Sequence, residues 1–155
     1  MSFRLSGIAP VPFAPLFALD DAALAARGMR RVVADSDSGY PCRVSLDDAR
    51  AGQELLLLPW EHLPGDTPYR ASGPIFVRRD AQRRQLAPGE VPPYVAKRLM
   101  SLRAYDAAWM MVDAAVCEGG EVARELERMF AGAAIACVHL HYARRGCYSC
   151  VAHRA

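Results

Sequence analysis

A chain of 155 residues, 52% apolar and 23% charged, is long enough for one ordinary domain with a buried core, and too rich in Trp, Tyr and Phe to be disordered. Nineteen basic against seventeen acidic side chains leave a formal net charge of +2, which argues against the salt-driven phosphate grip of a nucleic-acid binder. No stretch reaches the roughly eighteen consecutive apolar residues of a membrane span, and Pro10, Pro12 and Pro15 interrupt the apolar N-terminus, so neither a membrane partner nor a secretory signal is expected.

Phe3 to Ile8 alternates as a short strand, and the proline-spaced segment to Leu16 is expected to run extended. Asp20 reads as an N-cap, Ala22 to Arg27 as a helix and Gly28 as its left-handed stop. A strand over Arg30 to Ala34, a turn-rich loop over Asp35 to Pro41 and a helical turn over Leu46 to Arg50, closed by Gly52, follow. Leu55 to Leu58 is an unbroken apolar run of central-strand length that ends at Pro59, ahead of Trp60, Glu61, His62 and a long loop to Pro74. Ile75 to Arg78 is the next strand, and Asp80 to Gly89 reads as polar and exposed. Pro92 or Pro93 opens a helix that continues through Tyr94 to about Leu99.

Ser101 to Tyr105 is expected to be a strand with Ser101, Arg103 and Tyr105 on one polar face, and Trp109 to Cys117 another strand. After Gly119 and Gly120, Glu121 to Ala131 is the clearest helix, with Val122, Leu126, Met129 and Phe130 on one stripe. Ile135 to Tyr142 returns as a strand. The whole predicts an α+β fold, a single compact domain over 1–155, with a mixed or mainly antiparallel sheet of about six to eight strands and about three helices. The final strand, helix and strand suggest a crossover with parallel strands, antiparallel pairing being the alternative.

Reactive side chains concentrate at the C-terminus, where Cys137, His139, His141, Cys147, Cys150 and His153 fall close together. Strand alternation puts Cys137, His139 and His141 on one face. If Arg145 and Gly146 form a two-residue hairpin, His141 lies opposite Cys150 on that same face. Cys137, His139, His141 and Cys150 then form a candidate metal set, with zinc the ion such ligands suit. Against this, Cys147 and Cys150 would point oppositely on a strand, unlike the tight-turn cysteine pair of structural zinc sites. Only five residues follow Cys150, too few for the helix that activates a redox Cys-x-x-Cys pair.

A different reading makes Cys147 a nucleophile beside Arg144 and Arg145, with His139, His141 or His62 as general base. The bland counterpart is an exposed hairpin turn with a small buried thiol and core histidines. No phosphate-binding glycine loop, nucleophile elbow or dinucleotide fingerprint occurs in the sequence. Five scattered cysteines, an odd number, suit reduced thiols in a cytoplasm.

Five stretches together resemble one family: Phe3 to Gly7; Pro41-Cys42-Arg43 ahead of Leu55 to Leu58; Tyr69 to Phe76; Arg103-Ala104-Tyr105-Asp106; and His139 to Cys147. These are similar to the small bacterial proteins of domain of unknown function family 1203. The resemblance implies a bacterial source and supplies no activity. In that family the position of Tyr142 often holds Asn and a cysteine at Cys150 is not fixed, which leaves His139, His141 and Cys147 as the stronger candidates.

The leading expectation is a small-molecule pocket, with catalysis left open, in which His139 or His141 acts as general base or ligand-orienting group and Cys147 as nucleophile or pocket thiol. His62, Tyr69, Arg43, Arg70, Arg103 and Arg144 would line it, with Arg43, Arg70 or Arg103 as an anion clamp. A metal-binding module and a non-enzymatic interaction protein are the alternatives. Substrate, cofactor and oligomeric state are not readable from the residues.

Overall fold

Period-two alternation marks the longest segments of the chain, and the structure, a computed structural model describing residues 2–155, shows those segments as strands. The strands are β1 (Phe3–Ser6), β2 (Arg30–Val33), β3 (Pro41–Cys42), β4 (Asp47–Asp48), β5 (Glu54–Leu63), β6 (Ala71–Arg78), β7 (Leu99–Tyr105), β8 (Met111–Glu118), β9 (Cys137–Tyr142) and β10 (Tyr148–Arg154). The helices are α1 (Asp21–Ala26), α2 (Pro93–Ala96) and α3 (Val122–Phe130). The fold is α+β, as expected, but the described strands make two five-stranded sheets rather than one: β1-β10-β9-β7-β8 and β2-β5-β6-β3-β4.

Pairing is antiparallel except where β3 meets β6 at Cys42 and Phe76. The β8-α3-β9 connection is a crossover with a twist on the expectation. β8 and β9 are both antiparallel to β7, so they run parallel to each other with β7 inserted between them. Each sheet covers one face with helical segments. The α3 stripe of Val122, Leu126, Met129 and Phe130 is at most 1% exposed against Leu102, Val138 and Leu140, and each such side chain contributes roughly 1.5–3 kcal/mol by leaving water. Leu56, Leu58, Ile75 and Val77 of the second sheet pack on Phe13, Phe17 and Leu24.

Asp20 caps α1 by accepting from the Ala23 amide at 2.7 Å, and Gly28 takes φ +70° beyond its end, both as expected. Other expectations fail for identifiable reasons. The proline-spaced segment is not extended throughout: Ala14–Ala18 forms a 3-10 turn, because a proline in the first turn lacks only an amide that has no partner there. Leu46 to Arg50 is not helical. Leu46 is fully buried and takes φ +53°, which breaks the turn and sends Asp47 and Asp48 into pairing with Cys42 and Pro41.

β5 does not end at Pro59 but runs on to Leu63. β2 pairs only as far as Leu57, so Pro59 lies on a free edge, and it faces Pro74, a second residue with no amide to donate. The helix at Pro93 stops at Ala96, since Leu99 already pairs with Glu118. Within the segment read as exposed, Ala81 and Leu86 are buried and Gln85 bridges to Ser6.

Candidate functional site

β9 is buried along its whole length and alternates as its spacing requires. Val138 and Leu140 enter the α3 core, while His139 and His141 turn to the opposite face, beside Arg103 and Ser101 of β7. That face looks toward the end of β5, where a register shift between Glu61 and Leu63 frees His62 from direct pairing. One ring nitrogen from each of His62, His139 and His141 lies within 4.8 Å of the other two. The cluster therefore joins the two sheets.

Aromatic rings enclose it. Tyr148 stacks on His62 at 5.3 Å and 7°, and Tyr105 and Trp109 meet His139 edge-on at 5.1 and 5.9 Å. Trp109 holds φ +60°, an uncommon state for so bulky a residue. Its amide donates to the Asp106 carbonyl at 3.1 Å and its carbonyl accepts from Thr67 Oγ1 at 3.0 Å, which fixes the indole against the histidine.

Burial lowers the proton affinity of all three imidazoles. His139 falls to about 3, helped by its two histidine neighbours. His141 falls to about 4, burial prevailing over the opposing effect of the Gly146 carbonyl, and His62 is lowered by burial and by Arg103. All three are thus neutral at pH 7. The Nδ1 of His141 lies 3.0 Å from the Gly146 carbonyl, which can only accept, so Nδ1 carries the proton and Nε2 presents a lone pair. That Nε2 is buried without a hydrogen-bond partner, and so are Nδ1 of His62 and Nδ1 of His139. Three imidazoles with free, buried nitrogens can ligate one metal ion. Tetrahedral bonds of 2.0–2.1 Å need nitrogens about 3.3 Å apart, so rings whose nitrogens lie within 4.8 Å would draw together on an ion.

The remaining candidates separate into those near the cluster and those away from it. Tyr69 packs edge-on against Tyr105 at 6.1 Å, in the apolar group that also holds Leu63 and Cys137. Cys137 shares the histidine face, but burial pushes its thiol up to about 11 and its sulfur is not among the converging ligand atoms. Arg103 acts on each imidazole as a neighbouring charge. Arg70 points outward, 60% exposed, to Glu61.

The expected hairpin register is overturned. Tyr142 and Cys147 close a four-residue loop, so Tyr148, not Cys150, stands opposite His141, and a bulge at Ser149 then turns Cys150 into the α3 core beside Leu140. The structure therefore does not unite Cys150 with the histidines, and burial drives its thiol up to about 12. Cys147 packs toward that core and a neighbouring cleft with Arg43 and Arg144, its sulfur donating to the Arg145 carbonyl at 3.8 Å. Among the described residues no imidazole hydrogen-bonds it. The sequence reading missed Tyr148 and Trp109 as walls of the cluster and Lys97 and Arg98 as walls of the cleft; the only sequence signal for the latter pair was their adjacency at the end of a short helix.

The class defined by this geometry is an α+β protein of two largely antiparallel sheets bridged by a three-imidazole cluster. Residues 39–154 match the family described as "Protein of unknown function (DUF1203)", and the chain belongs to that family. The match takes in His62, His139, His141 and the cleft, while the Phe3 to Gly7 stretch lies outside it. No curated protein and no solved structure matches the chain.

Proposed function

We propose that the protein binds one divalent transition-metal ion, zinc being the ion three imidazoles suit, through His62, His139 and His141. The observation that carries this reading is that one ring nitrogen from each of three histidines lies within 4.8 Å of the other two, in a cluster where each ring also has a buried nitrogen without a hydrogen-bond partner. Each unsatisfied buried polar group costs about 1–3 kcal/mol, so three gathered at one point favour a ligand that takes lone pairs. Three protein ligands leave a fourth position for water or an exogenous donor, the ligand count of an open site rather than a closed structural one. The Gly146 carbonyl behind His141 is the outer-shell partner that fixes a ligating tautomer.

The reading places the protein in a reducing bacterial cytoplasm, supported by five free cysteines. A small molecule, not nucleic acid, is its partner, as the near-neutral charge suggests. No helix among the described residues is long and apolar enough to cross a membrane.

The test is zinc titration of chelator-treated protein made without a histidine tag, read by calorimetry and elemental analysis. One equivalent is expected, and His141→Gln or His62→Asn should lower the affinity at least tenfold while circular dichroism stays unchanged. Less than roughly a tenth of an equivalent bound, or equal binding by the variants, overturns the proposal.

A further inference from the structure

A cleft lies between the sheets beside the Tyr142–Cys147 loop, with a volume of about 540 Å³. That suits a small molecule, since ligand pockets run from roughly 300 to 1,000 Å³. Leu57, Pro74, Phe76, Leu99 and Tyr142 give it apolar walls. Five cations line it: Arg43, Lys97, Arg98, Arg144 and Arg145. Only two carboxylates answer them, Glu118 on the wall and Asp48, which pairs with both Lys97 and Arg98.

Arg43 is the telling residue. It is 3% exposed, with Nε donating to the Tyr148 carbonyl at 2.8 Å, one Nη donating to the Pro41 carbonyl at 2.6 Å, and its guanidinium lying 5.1 Å from the centre of the Tyr142 ring. These contacts hold the fork in place without neutralising it. None of the ion pairs among the described residues involves Arg43, Arg144 or Arg145. A buried guanidinium without a counter-ion is unfavourable unless an anion meets it, and guanidinium forks match phosphate and carboxylate oxygens. In a chain of net charge +2, this surplus of positive charge is local to the cleft.

We propose that this cleft binds a small organic anion, a phosphate or carboxylate on an apolar body, with Arg43 as the fixed anchor and Arg144 and Arg145 as clamps from the loop. The head group meets the guanidinium groups, and the body lies between Phe76 and Leu99. This site uses none of the histidine side chains, although the two are neighbours: Arg43 bonds the Tyr148 carbonyl, and the loop of Arg144 and Arg145 also supplies the Gly146 carbonyl to His141.

Calorimetry at low salt with AMP and benzoate, each against its uncharged counterpart adenosine or benzamide, tests the proposal and separates phosphate from carboxylate head groups. At least one anion should bind tenfold or more tighter than its neutral partner, weaken as salt rises, and shield Cys147 from iodoacetamide. The double variant Arg144→Ser, Arg145→Ser changes two exposed residues, so it should keep its melting temperature and lose at least tenfold in affinity. The proposal is overturned if neither anion outbinds its neutral partner, if inorganic phosphate alone binds as well as AMP, or if the double variant binds unchanged. Running His62→Asn in parallel keeps the two sites distinguishable, since anion binding should survive in it.

Discussion

Burial lowers His139 to about 3 and His141 to about 4, so both stay neutral in the folded chain where an unfolded imidazole, near 6.5, takes up a proton. Below pH 6.5 the unfolded state therefore binds more protons than the folded one, and stability falls as the pH drops toward 4. The contribution is fully present above 6.5. Each unit of depression is worth about 1.4 kcal/mol for a group this enclosed. Urea midpoints of chelator-treated protein should accordingly decline between pH 6.5 and 4. The double variant His139→Gln, His141→Gln should flatten that decline, and an unchanged slope would mean that the rings are solvated.

At the scale of elements, the cleft depends on how closely α2 approaches the chain just after β8. A Cβ on Gly119 would stand 2.2 Å from the Val95 carbonyl and 2.5 Å from that of Ala96, both backbone atoms that cannot swing aside. Gly119→Ala should therefore destabilise by about 1–3 kcal/mol in urea unfolding, as overpacking does, and weaken anion binding because Lys97, Arg98 and Glu118 flank the joint.

α3 was legible from its four-residue stripe, and so was the shared face of His139 and His141, since a period can be counted along one element. His62 could be marked as lying at the end of a strand but not assigned to the cluster, because no spacing links residues on different sheets. The last hairpin was misread because register hangs on single residues: a four-residue loop and the extra Ser149 exchange Cys150 for Tyr148. Arg43 could be marked in the sequence as a candidate anion clamp, but its burial and its lack of a carboxylate partner could not, since both depend on residues distant in the chain.

For the whole molecule, the histidine cluster takes one ligand from β5 of the second sheet and two from β9 of the first. An ion held there ties the sheets together and binds only the folded state. At a free zinc concentration a hundredfold above Kd the gain is about 2.7 kcal/mol, which for a chain of this size should raise Tm by about 5–10 °C in calorimetry. His62→Asn should remove the shift. A zinc effect that persists in that variant would assign the ion to other ligands.

The first sheet places β1 beside β10, the two strands furthest apart along the chain, Phe3 facing Arg154 and Ser6 facing Val151. On a ribosome adding about 5–20 residues per second, β1 waits on the order of ten seconds for its neighbour. Throughout that interval Phe3 and Leu5, both wholly enclosed in the finished fold, have no sheet to join. A nascent chain with this topology offers the apolar side chains of β1 to holdase chaperones until β10 has been made.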